Sequence, residues 1–215
     1  MNKTKIKIEV VSDVVCPWCY IGKRRLEKAI DQSKDTFDFE IEYLPFELNP
    51  AMPKEGRNQK EYLVAKFGSE AQYEKIIGNT TKVAADEGLA FDFSKQHVSP
   101  NTRDAHRIIW LAKKENKQTE AKEAFMKAYF EDGVDLSKTE NLLNVATQVG
   151  LDRAKVEKVL HSEEGLAEVI TAEKLSVQRG VSGVPFYIID GKYGISGAQS
   201  SDTFIQAFKE IGVKD

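Results

Sequence analysis

Cysteine, histidine and proline are all scarce, at two, three and six residues in a chain of 215. Two cysteines cannot supply the disulfide framework that staples small secreted domains, and a chain of this length buries a sizeable core without one. His97, His106 and His161 lie in separate segments with no ligand spacing. A zinc site built on the cysteines would lack two ligands, so no metal is expected. No apolar run approaches the roughly 20 residues that cross a bilayer. Charges break up the opening Met-Asn-Lys-Thr-Lys-Ile-Lys-Ile-Glu-Val and leave no apolar signal-peptide core. The expectation is a cytoplasmic protein with no membrane partner. Nor is charge of one sign in excess. The net charge is −3 and no nucleic-acid-binding motif occurs, so no nucleic-acid partner is expected.

What is present is ordinary in amount and ordered in pattern. Apolar residues make up 41% and charged residues 30%, as in a soluble globular protein. Ile6, Ile8 and Val10 alternate with charged residues and predict a strand from Ile6 to Val11. Ile21, Leu26, Ala29 and Ile30 form the apolar stripe of a helix from Pro17 to Asp31, with proline in the first turn, where its missing N–H has no role. Phe39, Ile41 and Tyr43 predict a second strand ending near Pro45. Three prolines and Gly56 make Pro45 to Arg57 a loop.

From Gln59 to Gln178 the periodicity is helical with no clear strand. Helices are predicted near Lys60–Phe67, Ala71–Glu87, Thr102–Asn116, Glu120–Glu131, Thr139–Val149 and Arg153–Leu160, with a further one from Glu164 to Gln178. Ser137 and Glu140 have capping-box spacing, and Asp152 stands where an N-cap should follow Gly150. Tyr62, Phe67, Tyr73, Phe125, Tyr129 and Phe130 fall at helical spacing and are read as core. Strands return at Pro185–Asp190 and Tyr193–Ile195 around the hairpin signal Asp190-Gly191. A last helix runs from Ser201 to Ile211.

Both cysteines lie in Cys16-Pro17-Trp18-Cys19, between the first strand and the first helix. The attacking species in disulfide exchange is the thiolate, so a redox cysteine needs its charge stabilised. Cys16 would stand at the open end of a helix, where free N–H groups and the dipole favour negative charge. Cys19 lies one turn further in. Cys16 is therefore the expected nucleophile and Cys19 the resolving thiol. Pro17 and Trp18 between them tune the relative stability of dithiol and disulfide.

Several other side chains have two readings each. Asp13 either accepts a thiol proton or caps the turn, and the cap is favoured. Lys23, Arg24 and Arg25 either add positive potential near Cys16 or form a solvated helix face, which is favoured. Glu47 and Asn49, in the loop after the second strand, and Gln199, before the last helix, either border a groove or order their loops.

The second informative stretch is Gly183-Val184-Pro185-Phe186, where a proline opens an apolar strand, a position that needs no ladder donor. Strand–Cys-x-x-Cys–helix–strand followed far downstream by Gly-Val-Pro and a hairpin resembles the thioredoxin superfamily. The long helical block resembles the DsbA branch. Cys16-Pro-Trp-Cys-Tyr-Ile-Gly22, Pro45-Phe-Glu-Leu-Asn-Pro50, Asn101-Thr-Arg-Asp-Ala-His-Arg107, Gly183-Val-Pro-Phe186 and Ser196-Gly-Ala-Gln199 look like the FrnE-type subgroup of DsbA-family oxidoreductases. The resemblance implies an α/β thioredoxin-like fold with a large all-helical insertion. Residues 1–58 and 165–215 would form the thioredoxin-like domain and 59–164 the insertion. It implies a cis bond before Pro185, with the proline against the Cys16 sulfur. The Val184 backbone would pair with substrate, and Asn101 and His106 would be contact candidates, unless Ser99 or Asn101 caps the helix and His106 is packing. Trp18 departs from the histidine of DsbA oxidants, and an indole cannot stabilise a thiolate as an imidazolium would. A less oxidising pair is expected.

The implied activity is a disulfide reductase or isomerase acting on protein or small-molecule disulfides. It would need no cofactor, with glutathione as a candidate co-substrate and an unidentified reducing partner. Two rivals remain at this point. One is a glutathione-dependent transferase or isomerase of the kappa type, which uses serine at the position of Cys16. The other is a non-catalytic DsbA-related adaptor.

Overall fold

The structure, a computed structural model, describes residues 3–212. Strand β1 (Thr4–Ser12), helix α1 (Pro17–Ser33) and strand β2 (Phe37–Pro45) form a β-α-β unit in which β1 and β2 run parallel. A two-residue strand β3 (Arg57–Asn58) precedes α2 (Gln59–Phe67) and α3 (Glu70–Asp86), and a second short strand β4 (Val98–Ser99) pairs with β3. Helices α4 (Arg103–Lys114), α5 (Gln118–Phe130), α6 (Thr139–Gln148), α7 (Arg153–Leu160) and α8 (Leu166–Gln178) follow. Strands β5 (Phe186–Ile189) and β6 (Tyr193–Ser196) form the closing hairpin, and α9 (Ser201–Gly212) ends the described chain. The main sheet has the order β2-β1-β5-β6, with β5 antiparallel to both its neighbours.

Alternation along β1 explains the layering. Ile6, Ile8 and Val10 point to one face and pack with Leu26 and Ala29 of α1 and with Phe204, Phe208 and Ile211 of α9. Each such side chain contributes roughly 1.5–3 kcal/mol when fully buried. A separate core joins Tyr20 of α1 to Phe125, Met126 and Phe130 of α5 and to α6 and α7; Cys16 and Cys19 belong to this second core. The dithiol therefore sits where the sheet unit meets the helices.

The α/β thioredoxin-like fold with its helical insertion is as expected. Strand β4, paired with β3, corrects the reading that no strand lies between residues 59 and 178. Two residues cannot show a period. The capping box at Ser137 is also corrected. Ser137 donates its N–H and its hydroxyl to Asp135 Oδ1 at 2.9 and 2.6 Å, and α6 starts after Lys138 without a side-chain cap. Asp152 does cap α7, accepting from the Lys155 N–H at 2.9 Å. At the hairpin, three residues join the strands; Asp190 and Gly191 both have positive φ, 49° and 68°, as the central pair of a primed turn requires, and Lys192 closes it by donating its N–H to the Ile189 carbonyl at 3.0 Å. Tyr73, Phe125, Tyr129 and Phe130 are buried, but Tyr62 and Phe67 are only half-buried and line a cavity instead of the core.

Candidate active site

Cys16 is the N-cap of α1, with extended φ and ψ of −92° and 111°, and Pro17 takes the first helical turn. No side chain caps this helix and its first turn holds no acidic residue. The free N–H groups and the positive end of the dipole are thus left to Cys16. The Cys16 carbonyl accepts the Cys19 N–H at 3.0 Å, which fixes Cys19 one turn inside. Both thiols are unpaired and both are buried. Trp18, between them, turns outward and is 37% exposed.

The opposite wall comes from the sheet. The Val184–Pro185 bond is cis, and Cys16 Sγ lies 3.7 Å from the Val184 carbonyl oxygen, to which the thiol donates. Gly22 makes the close approach possible. A Cβ there would overlap the Tyr187 hydroxyl and press on Pro185 Cγ and Ala198 Cβ at 3.2 and 3.3 Å.

Behind the dithiol lies a cluster of charge that sequence reasoning did not assemble. Asp13 is fully buried, and it does not cap the turn as favoured above. Its Oδ2 accepts the Leu48 N–H at 2.8 Å and its Oδ1 lies 3.2 Å from His106 Nε2. The same nitrogen is 3.1 Å from the Phe46 carbonyl. Two acceptors facing one nitrogen place the proton on Nε2. Burial alone would raise the Asp13 pKa, but His106, the Leu48 N–H and the charge of Lys122 outweigh it and hold the carboxyl below its ordinary value.

Lys122, on α5, is 1% exposed. Its Nζ donates to the Ser12 carbonyl at 3.2 Å. Burial brings its pKa down to about 8, against the upward pull of Cys19, Asp13 and Cys16. Cys19 is its counterpart. Burial, then the neighbouring Cys16, push the Cys19 thiol well above its ordinary value, while Lys122 and the Asp13 backbone pull it down. The Cys19 thiol is therefore hard to ionise, and burial leaves the Lys122 amine that interacts with it a pKa of about 8. A cleft of about 170 Å³ reaches Lys122 and His106. In the sequence, Lys122 lay on a helix with no local sign of chemistry.

The remaining expected residues divide as follows. Val184 meets Cys16 through its carbonyl, and Pro185 follows it across the cis bond. His106 is 3% exposed and its Nε2 faces Asp13 and the Phe46 carbonyl, which favours the packing reading over substrate contact. Asn101 commits both ends of its amide, donating to the Met52 carbonyl at 2.8 Å and accepting the Arg103 N–H at 3.0 Å. Gln199 is exposed and donates to the Ser196 carbonyl, ordering its turn. Glu47 takes Arg103, and Asn49 joins Tyr62 to the Ala51 N–H, so both order their loop.

The solvated face expected at Lys23, Arg24 and Arg25 is corrected too. Lys23 is 3% exposed between Glu27 and Glu123, Arg24 pairs with Glu123 and Glu27, and Arg25 reaches Glu87 and the Ala198 carbonyl. Glu123 and Glu87 lie far along the chain, so local periodicity could not show them.

Among the described residues no group of three or more histidine, cysteine or acidic side chains is arranged to hold a metal. No described helix is long and apolar enough to cross a membrane.

Known proteins are similar to this chain in sequence and fold. The uncharacterized protein YwbO of Bacillus subtilis is 28% identical over 210 residues, covering 95% of this chain and 96% of that protein. A probable DsbA oxidoreductase from Streptomyces coelicolor is 34% identical with a TM-score of 0.89, over 95% of this chain and 89% of its own. The cytosolic disulfide reductase DsbM of Pseudomonas aeruginosa, solved with GSH, has the same fold at a TM-score of 0.67 and 13% identity, over 97% of this chain and 100% of its own. The DsbA-like thioredoxin domain family itself matches residues 7–209. That match runs through both halves of the sheet and every helix between them, and the chain belongs to this family.

Proposed function

We propose that this chain reduces or isomerises disulfides of proteins or small molecules through Cys16 and Cys19, with no bound cofactor. The Cys16 thiolate attacks one sulfur of the substrate disulfide. The other half leaves as a thiol and a mixed disulfide remains on Cys16. Cys19 then gives its proton to the neutral amine form of Lys122, which a pKa of about 8 keeps accessible, and attacks the Cys16 sulfur. The second half of the substrate leaves, takes up that proton and completes the exchange. The substrate has gained two electrons and the dithiol has become a disulfide.

A thiol reductant, glutathione or a dithiol protein, restores the pair. In a reducing compartment such as the cytoplasm, the resting dithiol favours reduction or isomerisation over net oxidation. Val184 and Pro185 offer the main chain beside Cys16 to an extended substrate segment. Pro17 and Trp18 tune the pair. Within the family, the five sequence motifs above favour the FrnE-type subgroup.

The observation that carries this reading is the asymmetry of the pair. One thiol sits at a bare helix N-terminus, 3.7 Å from the Val184 carbonyl, and the other is buried beside Lys122. Reduction of insulin in the presence of glutathione tests it. Cys16→Ser should fall to the uncatalysed background. Unchanged turnover in that variant would remove the assignment. A glutathione-dependent activity that survives Cys19→Ala would favour the kappa-type alternative instead.

A further inference from the structure

We propose that the cavity beside the dithiol seats an apolar, ring-sized arm of the substrate disulfide, and that Gln96 donates a hydrogen bond to an acceptor on that arm. The inference rests on the disulfide reading above and names the class of substrate it serves.

The cavity measures about 130 Å³, close to an engineered cavity of about 150 Å³ that takes up benzene. Val15 and Pro17, on either side of Cys16, form part of its wall. Anything held there lies against the two residues that flank Cys16, although Cys16 itself is not part of the wall.

Its far wall is Leu63 and Phe67 of α2 with Ile76 and Ile77 of α3. These four are half-buried and belong to none of the three apolar cores. The two helices thus turn apolar side chains toward an unfilled space, where a core would interdigitate.

The polar lining is selective. Thr80 donates to the Ile76 carbonyl at 2.8 Å, and Asn49 is held between Tyr62 and the Ala51 N–H. Among the described residues, Gln96 Nε2 is the one fully buried polar side-chain atom of the lining without a partner. Gln96 as a whole is 5% exposed. Buried donors in native proteins are paired, so a free one in an apolar cavity marks where an acceptor arrives. The occupant is therefore not a plain hydrocarbon. It is an apolar group bearing a carbonyl or ether oxygen, attached to a sulfur within reach of Cys16. Cys16 attacks that sulfur, the unseated half leaves as a thiol, and Cys19 releases the seated half as the second thiol. The enzyme's own dithiol supplies both electrons.

The test is single-turnover oxidation of the pre-reduced protein by N,N′-dibenzoylcystamine and by N,N′-diacetylcystamine, which differ only in the ring. The benzoyl compound should react at least about tenfold faster, the scale on which an apolar pocket discriminates. Ile77→Trp, which fills the cavity, should bring the ratio close to one. Gln96→Leu removes an unpaired donor, so it should fold normally while cutting the rate with the benzoyl compound about fivefold. Equal rates in the wild type, or a preference that survives Ile77→Trp, would overturn the inference. If neither compound reacts, the disulfide reading itself falls. The cavity is then judged on N-ethylbenzamide binding to the wild type by NMR. Binding lost in Ile77→Trp supports the cavity site, and no binding overturns it.

Discussion

The dithiol lies between two walls of different kinds. The sheet wall is main chain: the N-terminus of α1, the Val184 carbonyl at 3.7 Å from Cys16 Sγ, and a glycine that lets Pro185 approach. The helical wall is buried charge: Asp13 with His106 of α4, and Lys122 of α5 beneath Cys19. The first sets where the Cys16 sulfur stands. The second, in the proposed mechanism, sets how Cys19 loses its proton. A main-chain wall tolerates changes of charge but not of volume. A charged wall is sensitive instead to losing one partner of a buried hydrogen-bonded pair.

The largest stability effect should come from breaking the charged wall. Asp13→Ala strands the Leu48 N–H, leaves His106 Nε2 only the Phe46 carbonyl and takes a counter-charge from buried Lys122, and should cost about 3–5 kcal/mol, measured by urea unfolding. The pH dependence has a definite sign. The Asp13 carboxyl titrates lower in the folded chain than in the unfolded one. Its stabilisation is complete above the unfolded value of about 3.9 and drains away as pH falls through the lower folded value. A wild type and an Asp13→Ala variant that differ equally at every pH would contradict this.

Next in size is volume in the main-chain wall. Gly22→Val should cost about 1–3 kcal/mol by overpacking against Tyr187 and Pro185, and should slow disulfide exchange by moving Val184 from Cys16. Normal stability with normal exchange would mean the wall is not tight.

Lys122→Met separates stability from function. A buried cation is replaced by an apolar chain of similar length, so the variant should be equal to the wild type or about 1–3 kcal/mol more stable at pH 7. Any advantage should fade as pH rises from about 8 toward the unfolded value, because the native amine binds fewer protons than the unfolded one across that window. Resolution of the mixed disulfide should slow at the same time. Faster resolution would show that Lys122 does not serve Cys19.

The smallest effect belongs to the edge of the charged wall. Glu173 is half-buried, and burial raises its pKa to about 7, with Glu47 adding to the shift. Its folded value lies above its unfolded one, so native stability should fall as pH rises from about 4.5 to about 7. Partial exposure keeps the change under about 1 kcal/mol. Glu173→Gln should flatten that slope in thermal melts.

The two walls were unequally legible in the sequence. The sheet wall is encoded locally. Alternation in β1, Pro17 after Cys16, and Pro185 at the head of a strand each sit within a few residues of what they shape. The fold followed from these with the helical periodicity of the insertion. The charged wall joins residues such as Ser12 and Lys122, 110 positions apart, and a lone lysine on a helix has no pattern. Lys23 and Arg24 were misread for the same reason, since Glu123 lies about a hundred residues on. Tyr62 and Phe67 show a subtler limit. Periodicity tells which face of a helix is apolar, but not whether that face meets a core or a cavity.

The central claim is that the walls make the two cysteines unequal, with Cys16 attacking and Cys19 resolving. Trapping tests it most directly. Cys19→Ala and Cys16→Ala variants are exposed to cell extract under oxidative stress, and mixed disulfides are identified by mass spectrometry. The account predicts covalent partners held on Cys16 in the Cys19→Ala variant and none above background in Cys16→Ala. Equal trapping by both variants, or trapping on Cys19 alone, would contradict it.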